Sequence, residues 1–226
     1  MKSKIFRKRR QCGISRVDVS KMLLMLALTI CSGATSAGDV LERCGDVHDP
    51  YRDGVSKIID KAVSQRSSLQ LTTIPSFEAE SGLRLVGTQL YFVQFQTSFW
   101  VGSYPSNLKD GGRMDFSKAK ISTKVRDAPM NSILAARVAR IYGKAIDHAT
   151  KARQSGVDGV SFYYSKSDGA CAYAWSPKPR TRNGLLVDLH SRLERHTRYV
   201  RAADLQRSES DMGELLQRIE SAEQGQ

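Results

Sequence analysis

Four residues, Asp46, His48, Asp49 and Asp53, lie next to Cys44 and make the densest acid–imidazole cluster in the chain. A set of this kind serves two sorts of chemistry: carboxylates with an imidazole can hold a divalent cation, or one carboxylate can orient His48 for proton transfer. The same residues also have a purely structural use. Asp49 stands before Pro50 where a helix N-cap belongs, and Asp53 falls in the first turn, where negative charge opposes the helix dipole. Capping accounts for most of the cluster, so no metal, cofactor or catalytic residue is assigned. His190 and His196 are six residues apart, the wrong spacing for paired ligands on one helix turn, and His196 borders an apolar stripe.

No nucleophile elbow, Walker loop, dinucleotide glycine pattern or His-Glu-x-x-His occurs. A hydrolase built from scattered residues, with His48 and Asp46 as its acid–base pair, is therefore the second reading. Trp100, Tyr104, Tyr163, Tyr164, Tyr173 and Trp175 would suit stacking on sugar rings if they faced water. In strands such residues more often build the core or pair across it.

The strongest polar pattern is basic. Lys118, Lys120, Lys124 and Arg126 alternate along one stretch, which places them on one face of a strand. Arg137, Arg140, Lys144, His148 and Lys151 recur at steps of three or four, which places them in one helical stripe with Asp147 as the only nearby acid. Lysine protection of an edge strand and a solvated helix face explain such patterns without a ligand. The functional reading is a site for an anionic envelope component, such as a phosphorylated headgroup, lipopolysaccharide or acidic glycan.

Residues 1–37 say where such a partner would be met. Lys2, Lys4, Arg7, Lys8, Arg9, Arg10, Arg16 and Lys21 lead into the apolar run Met22 to Cys31, and Ser32-Gly33-Ala34-Thr35-Ser36-Ala37 follows. This order is that of a secretory signal peptide cleaved after Ala37. Bulky Ile30 before Cys31 argues against lipidation, and Gln11-Cys12-Gly13 after Arg9-Arg10 argues against twin-arginine export. No Asn-x-Ser/Thr sequon occurs, so a bacterial periplasm or exterior fits best. Eight of the 35 Lys and Arg residues and one of the 23 acids belong to this segment, so the net charge of +12 falls to +5 without it. Nucleic acid is accordingly not the expected partner, and no permanent membrane span is expected after cleavage. Cys12 and Cys31 leave with the signal, and Cys44 and Cys171 remain as a disulfide pair for an oxidising compartment.

The elements that must position these residues read as an α+β fold, an antiparallel sheet of two hairpins packed against several amphipathic helices. Residues 38–200 form a single globular domain in this reading, and 201–226 a C-terminal helical tail. A helix opens at Asp49-Pro50 and runs to about Arg66; Leu69 to Ile74 is a strand stopped by Pro75. Leu83 to Val101 alternates as a long strand or a tight pair. A glycine-rich turn leads to a strand over Lys118 to Arg126, then a helix with Asp127 as cap and Pro129 in its first turn. Gly156 to Tyr164 and Ala170 to Trp175 form a hairpin about Lys166-Ser167-Asp168-Gly169. Leu186, Leu189, Leu193 and Val200 mark a further helix, and Asp211 with Glu214 caps a last short one. The oligomeric state is not legible. Export is checked by finding the N-terminus of the product by mass spectrometry: Gly38 is expected, and a cytoplasmic product retaining Met1 would refute the signal.

Overall fold

The computed structural model describes residues 41–45, 49–103, 116, 119–151 and 158–224. The signal segment, Asp46, His48, Tyr104 and Lys118 lie outside the described residues. In chain order the elements are β1 (Glu42–Arg43), α1 (Pro50–Val63), β2 (Leu69–Pro75), β3 (Ser81–Val86), β4 (Gln89–Phe95), α2 (Phe99–Ser103), β5 (Thr123–Pro129), α3 (Ser132–Asp147), β6 (Val160–Lys166), β7 (Cys171–Trp175), α4 (Arg182–His196) and α5 (Ala202–Gln224). The fold is α+β. Its sheet is wholly antiparallel, with seven strands in the order β1-β7-β6-β2-β3-β4-β5, so it is larger than two hairpins. No helix among the described residues is long and apolar enough to cross a membrane.

Alternation divides the sheet into two faces. Leu71, Leu83, Phe92 and Tyr164 meet in register on one face, where α3, α4 and α5 cover them. Ile141 and Tyr142 of α3, Leu189 and Leu193 of α4, and Met212, Leu216 and Ile219 of α5 fill this core. Each such Leu or Ile side chain contributes about 1.5–3 kcal/mol by leaving water. On the opposite face α1 lays Val55, Ile59 and Val63 against Val93 and Phe95, packing chiefly on β3, β4 and β5.

Local signals set many element ends as expected. The Asp49 carboxylate accepts from the N–H groups of Tyr51 and Arg52, and α1 stops at Ser64 in the left-handed region, φ 58°. In the β6–β7 turn the Lys166 N–H bonds the Ala170 carbonyl at 2.9 Å, with Gly169 at φ 89°. Cys44 and Cys171 pair as a disulfide, with Cα atoms 5.4 Å apart and a separation of 127 positions in sequence. A loop of that size is worth about 4–5 kcal/mol in the chain-entropy model.

Elsewhere pairing decided between the sequence readings or overrode them. The 83–101 stretch is a tight pair: Val86 faces Gln89 across Gly87-Thr88, and Gly87 takes the positive φ of 59° that this two-residue turn requires. The alternation past Phe95 is not strand, because Phe99–Ser103 is helical. β5 begins at Thr123 and continues through Asp127 to Pro129, paired with β4 along its whole length. Asp127 therefore caps nothing; it accepts from Gln89 Nε2 at 2.7 Å, while Asn131 caps α3 by accepting from Ile133 and Leu134. Seven paired backbone positions outweigh one capping side chain. Val200 lies beyond the end of α4 and is 92% exposed. Asp211 and Glu214 lie inside α5, a helix of 23 residues whose apolar stripe enters the main core.

Both histidines of α4 are buried. His196 donates from Nε2 to the Pro129 carbonyl at 2.9 Å and meets Ser208 Oγ through Nδ1. His190 sits 3.3 Å from Thr73 Oγ1 and edge-on to Phe162, with its Nδ1 unpartnered. Burial pushes the His190 pKa down from 6.5 to about 4. Between those values the unfolded chain takes up a proton that the folded chain refuses, so stability falls as pH drops from 6.5 to 4, by about 3 kcal/mol. Urea unfolding between pH 7 and pH 4 should show this loss, and His190→Gln should flatten it. An equal acid slope in both proteins would contradict the burial effect.

Candidate functional site

α1 lies chiefly over β3, β4 and β5, and among the described residues no helix packs extensively on the same sheet face above β2, β6 and β7. There the alternation that places Leu69, Leu71 and Tyr164 in the core turns Gln70, Thr72, Tyr163 and Ser165 the other way. Gln70 faces Ser165 and Thr72 faces Tyr163, which makes a polar floor. The wall is the outer side of α1, where Arg52, Ser56 and Asp60 recur every four residues beside Asp53. Arg66 and the Lys166–Gly169 turn, both beside the end of the sheet where Leu69 faces Lys166, complete a groove of about 490 Å³, with Cys171 at its margin.

A buried cation lies under this groove. Arg84 on β3 is 1% exposed. Its Nε donates to Asp60 Oδ1 at 2.7 Å, and its Nη1 to the Leu83 carbonyl at 3.0 Å and Thr72 Oγ1 at 3.4 Å. Its Nη2 has no hydrogen-bond partner. Burial pulls the Arg84 pKa below its ordinary value, and the Asp60 carboxylate opposes that pull. Asp60 and Thr72, two of the guanidinium's partners, both face the groove.

The other charges differ in how far they are engaged. Arg52 is 3.3 Å from Asp53 and lies 5.8 Å over the Tyr163 ring, which itself stacks on Tyr173. Burial raises the Tyr163 pKa, so the phenol stays protonated at neutral pH. Lys166 bonds Asp147 at 2.6 Å and Asp168 at 3.4 Å, with its pKa raised first by the Asp147 hydrogen bond. Arg66 is exposed, and no ion pair holds it among the described residues. The groove thus offers neutral hydroxyls and amides, two carboxylates, and one uncommitted guanidinium.

The basic residues of the sequence are placed differently. Lys118 is outside the described residues; Lys120, Lys124 and Lys151 are exposed. Arg126 lies over the Phe92 ring at 4.8 Å and 3.9 Å from Glu194 of α4. Arg137 and Arg140 converge on Glu220 of α5, each at 2.9 Å, and Arg137 is the main cause that lowers the Glu220 pKa. Lys144 also acts on that carboxylate. Part of the stripe on α3 is thereby a seam to α5, eighty residues away in sequence, and no described contact joins it to Lys120, Lys124 or Arg126.

Of the acid cluster, Asp49 caps α1 and Asp53 pairs with Arg52. No group of three His, Cys, Asp or Glu able to hold a metal occurs among the described residues. The aromatic residues divide sharply. Tyr164 is fully buried against Tyr142 and Tyr173 is nearly so, whereas Trp100 and Trp175 are 50% and 38% exposed. Arg84 was missed in sequence because a lone charge between Leu83 and Leu85 reads as a solvent-facing strand position. Only the placement of α1 shows that it is covered.

No protein-family model matches this chain, and no curated protein or solved structure matches it either. The site is therefore judged on its own chemistry. Asp60→Asn removes the charge facing a buried guanidinium. The expected cost is about 2 kcal/mol in urea unfolding, less than the 3–5 kcal/mol of a wholly buried pair because Asp60 is half-exposed. Adding Arg84→Met should recover part of the loss. An Asp60→Asn protein as stable as wild type would contradict this role for Asp60.

Proposed function

We propose that this protein is a non-catalytic binding module exported to the bacterial envelope, and that its ligand is an acidic, hydroxyl-rich glycan held in the groove beside α1. Export is supported by the order of charge, apolar run and small residues in 1–37, and by the Cys44–Cys171 pair.

One observation carries the binding site. Among the described residues, half of a sheet face is left open and is lined with hydrogen-bonding side chains where the other half is lined with apolar ones. Gln70, Ser165 and the carboxylates of Asp53 and Asp60 suit ring hydroxyls, which both donate and accept. Arg66 suits the carboxylate of an acidic sugar, since a guanidinium forms two parallel bonds to it. A polyphosphate chain fits less well, because it has no ring hydroxyls for Gln70, Thr72 and Ser165 to bond. The groove is favoured over the strand–helix basic face because Arg126, Arg137 and Arg140 already have acidic neighbours there.

The test is calorimetric titration of the exported, oxidised protein with galacturonate oligomers and with neutral galactose oligomers. The acidic series should bind more tightly, and Arg66→Glu should weaken it by about tenfold, close to 1.4 kcal/mol. Added salt should narrow the gap between the two series as the Debye length falls below about 10 Å. Lys120→Glu/Lys144→Glu should leave binding unchanged. Loss of binding in that double variant, with Arg66→Glu behaving as wild type, would move the site to the basic face and overturn this reading.

A further inference from the structure

We infer that the glycan site continues along β2 into a second, aromatic subsite at Phe77 and Trp100, so that the ligand is an oligosaccharide chain and not a single sugar. This rests on the groove reading above and extends it.

A separate depression of about 320 Å³ lies between the end of β2 and α2, with Tyr51, Ile74, Ser76, Phe77, Ser98 and Trp100 among its lining residues. Its rings are exposed to an unusual degree: Phe77 is 85% and Trp100 50% exposed. Apolar rings left in water and rimmed by hydroxyls mark an interaction site. The two depressions share elements. Thr72 of the first and Ile74 of the second are two residues apart on β2, hence on one face and about 7 Å from each other. Tyr51 and Arg52, consecutive at the start of α1, serve the second and the first.

Trp100 is also held in place. The carboxylate of Glu80 is fully buried and accepts from the Phe99 N–H at 2.7 Å, from Ser98 Oγ, and from the Tyr51 hydroxyl. Ser98 Oγ in turn accepts the Trp100 N–H at 3.2 Å. Phe99 is fully buried, edge-on to Tyr51 at 5.1 Å. It lies so close to Gly54 that a Cβ there would fall 2.5 Å from its ring. The residue before Trp100 is thus anchored, and the indole is presented on a fixed base, ordered before any ligand arrives.

Aromatic rings beside a groove of hydroxyls and carboxylates match a chain whose units have apolar ring faces and polar edges. Single-stranded DNA also stacks on aromatics, but its sugars lack the free ring hydroxyls that a floor of Gln70, Thr72 and Ser165 would bond. Continuity with the hydroxyl-binding groove selects the glycan.

The experiment compares galacturonate oligomers from the disaccharide to the hexasaccharide by calorimetry, with wild type, Trp100→Ala and Phe77→Ala; both side chains are too exposed to support the core. Wild-type affinity should rise by about tenfold with length, and both variants should lose that gain while binding the disaccharide as wild type does. Variants that keep the gain would overturn the second subsite and leave the groove standing. A wild type that binds no uronate of any length, or that prefers single-stranded DNA, would overturn the groove reading and this extension together.

Discussion

The ion pair between Arg84 and Asp60 is the constraint on which the arrangement of this face depends. A guanidinium at the middle of a sheet must have its charge met, and Asp60 on α1 is the group that meets it. That pairing fixes α1 over β3. Gly82, two residues before Arg84, lets the helix come close: a Cβ there would stand 2.7 Å from Ile59 Cδ1 and 3.0 Å from the Leu71 carbonyl. The start of the helix is tied separately, through Tyr51 to buried Glu80. Held at both points, α1 shields β3, β4 and β5, and among the described residues no helix packs extensively on the neighbouring strands of that face. The open polar floor follows from where one helix is obliged to lie.

The N-terminal arm closes the other side of the molecule. β1 is only two residues long, yet it is held from several directions. Glu42 accepts from the Tyr173 hydroxyl at 2.7 Å, Arg43 Nε donates to the Ala149 carbonyl at 2.9 Å, and Thr150 N–H bonds the Leu41 carbonyl at 2.9 Å. The Cys44–Cys171 bond then anchors the arm to β7 five residues before the cap of α1. A strand of two residues has little pairing energy of its own, so a covalent tie matters here more than in the core. The cysteine at the groove margin links the fold's redox requirement to the geometry of the proposed site.

What could be read in the sequence was mostly local. Asp49-Pro50 announces α1, Lys166 to Gly169 announces the last hairpin, and two remaining cysteines leave one internal pairing. Alternation likewise gave an antiparallel sheet with helices packed on it. The missing parts depend on distant residues. Asp127 has the chemistry of a cap but is consumed by pairing with β4, and Asn131 does the capping instead. Arg137 and Arg140 form a like-charged stripe until Glu220 arrives from α5. Phe77, Glu80 and Arg84 carry no local signal at all, because a single ring, acid or base in a strand region becomes informative only when the covering element is known. The apolar stripe of the last helix was visible, but not that it would complete the main core.

In the proposed function the ligand sits on the open half of the sheet face. Backbone amide shifts of the isotopically labelled exported protein, followed while galacturonate hexasaccharide is added, test it most directly. The expected perturbations cluster at Arg52, Arg66, Gln70, Thr72, Tyr163 and Ser165, extending to Ile74 and Trp100. Perturbations confined to Arg137, Arg140, Lys144 and the exposed end of β5, with the residues of the groove silent, would contradict it.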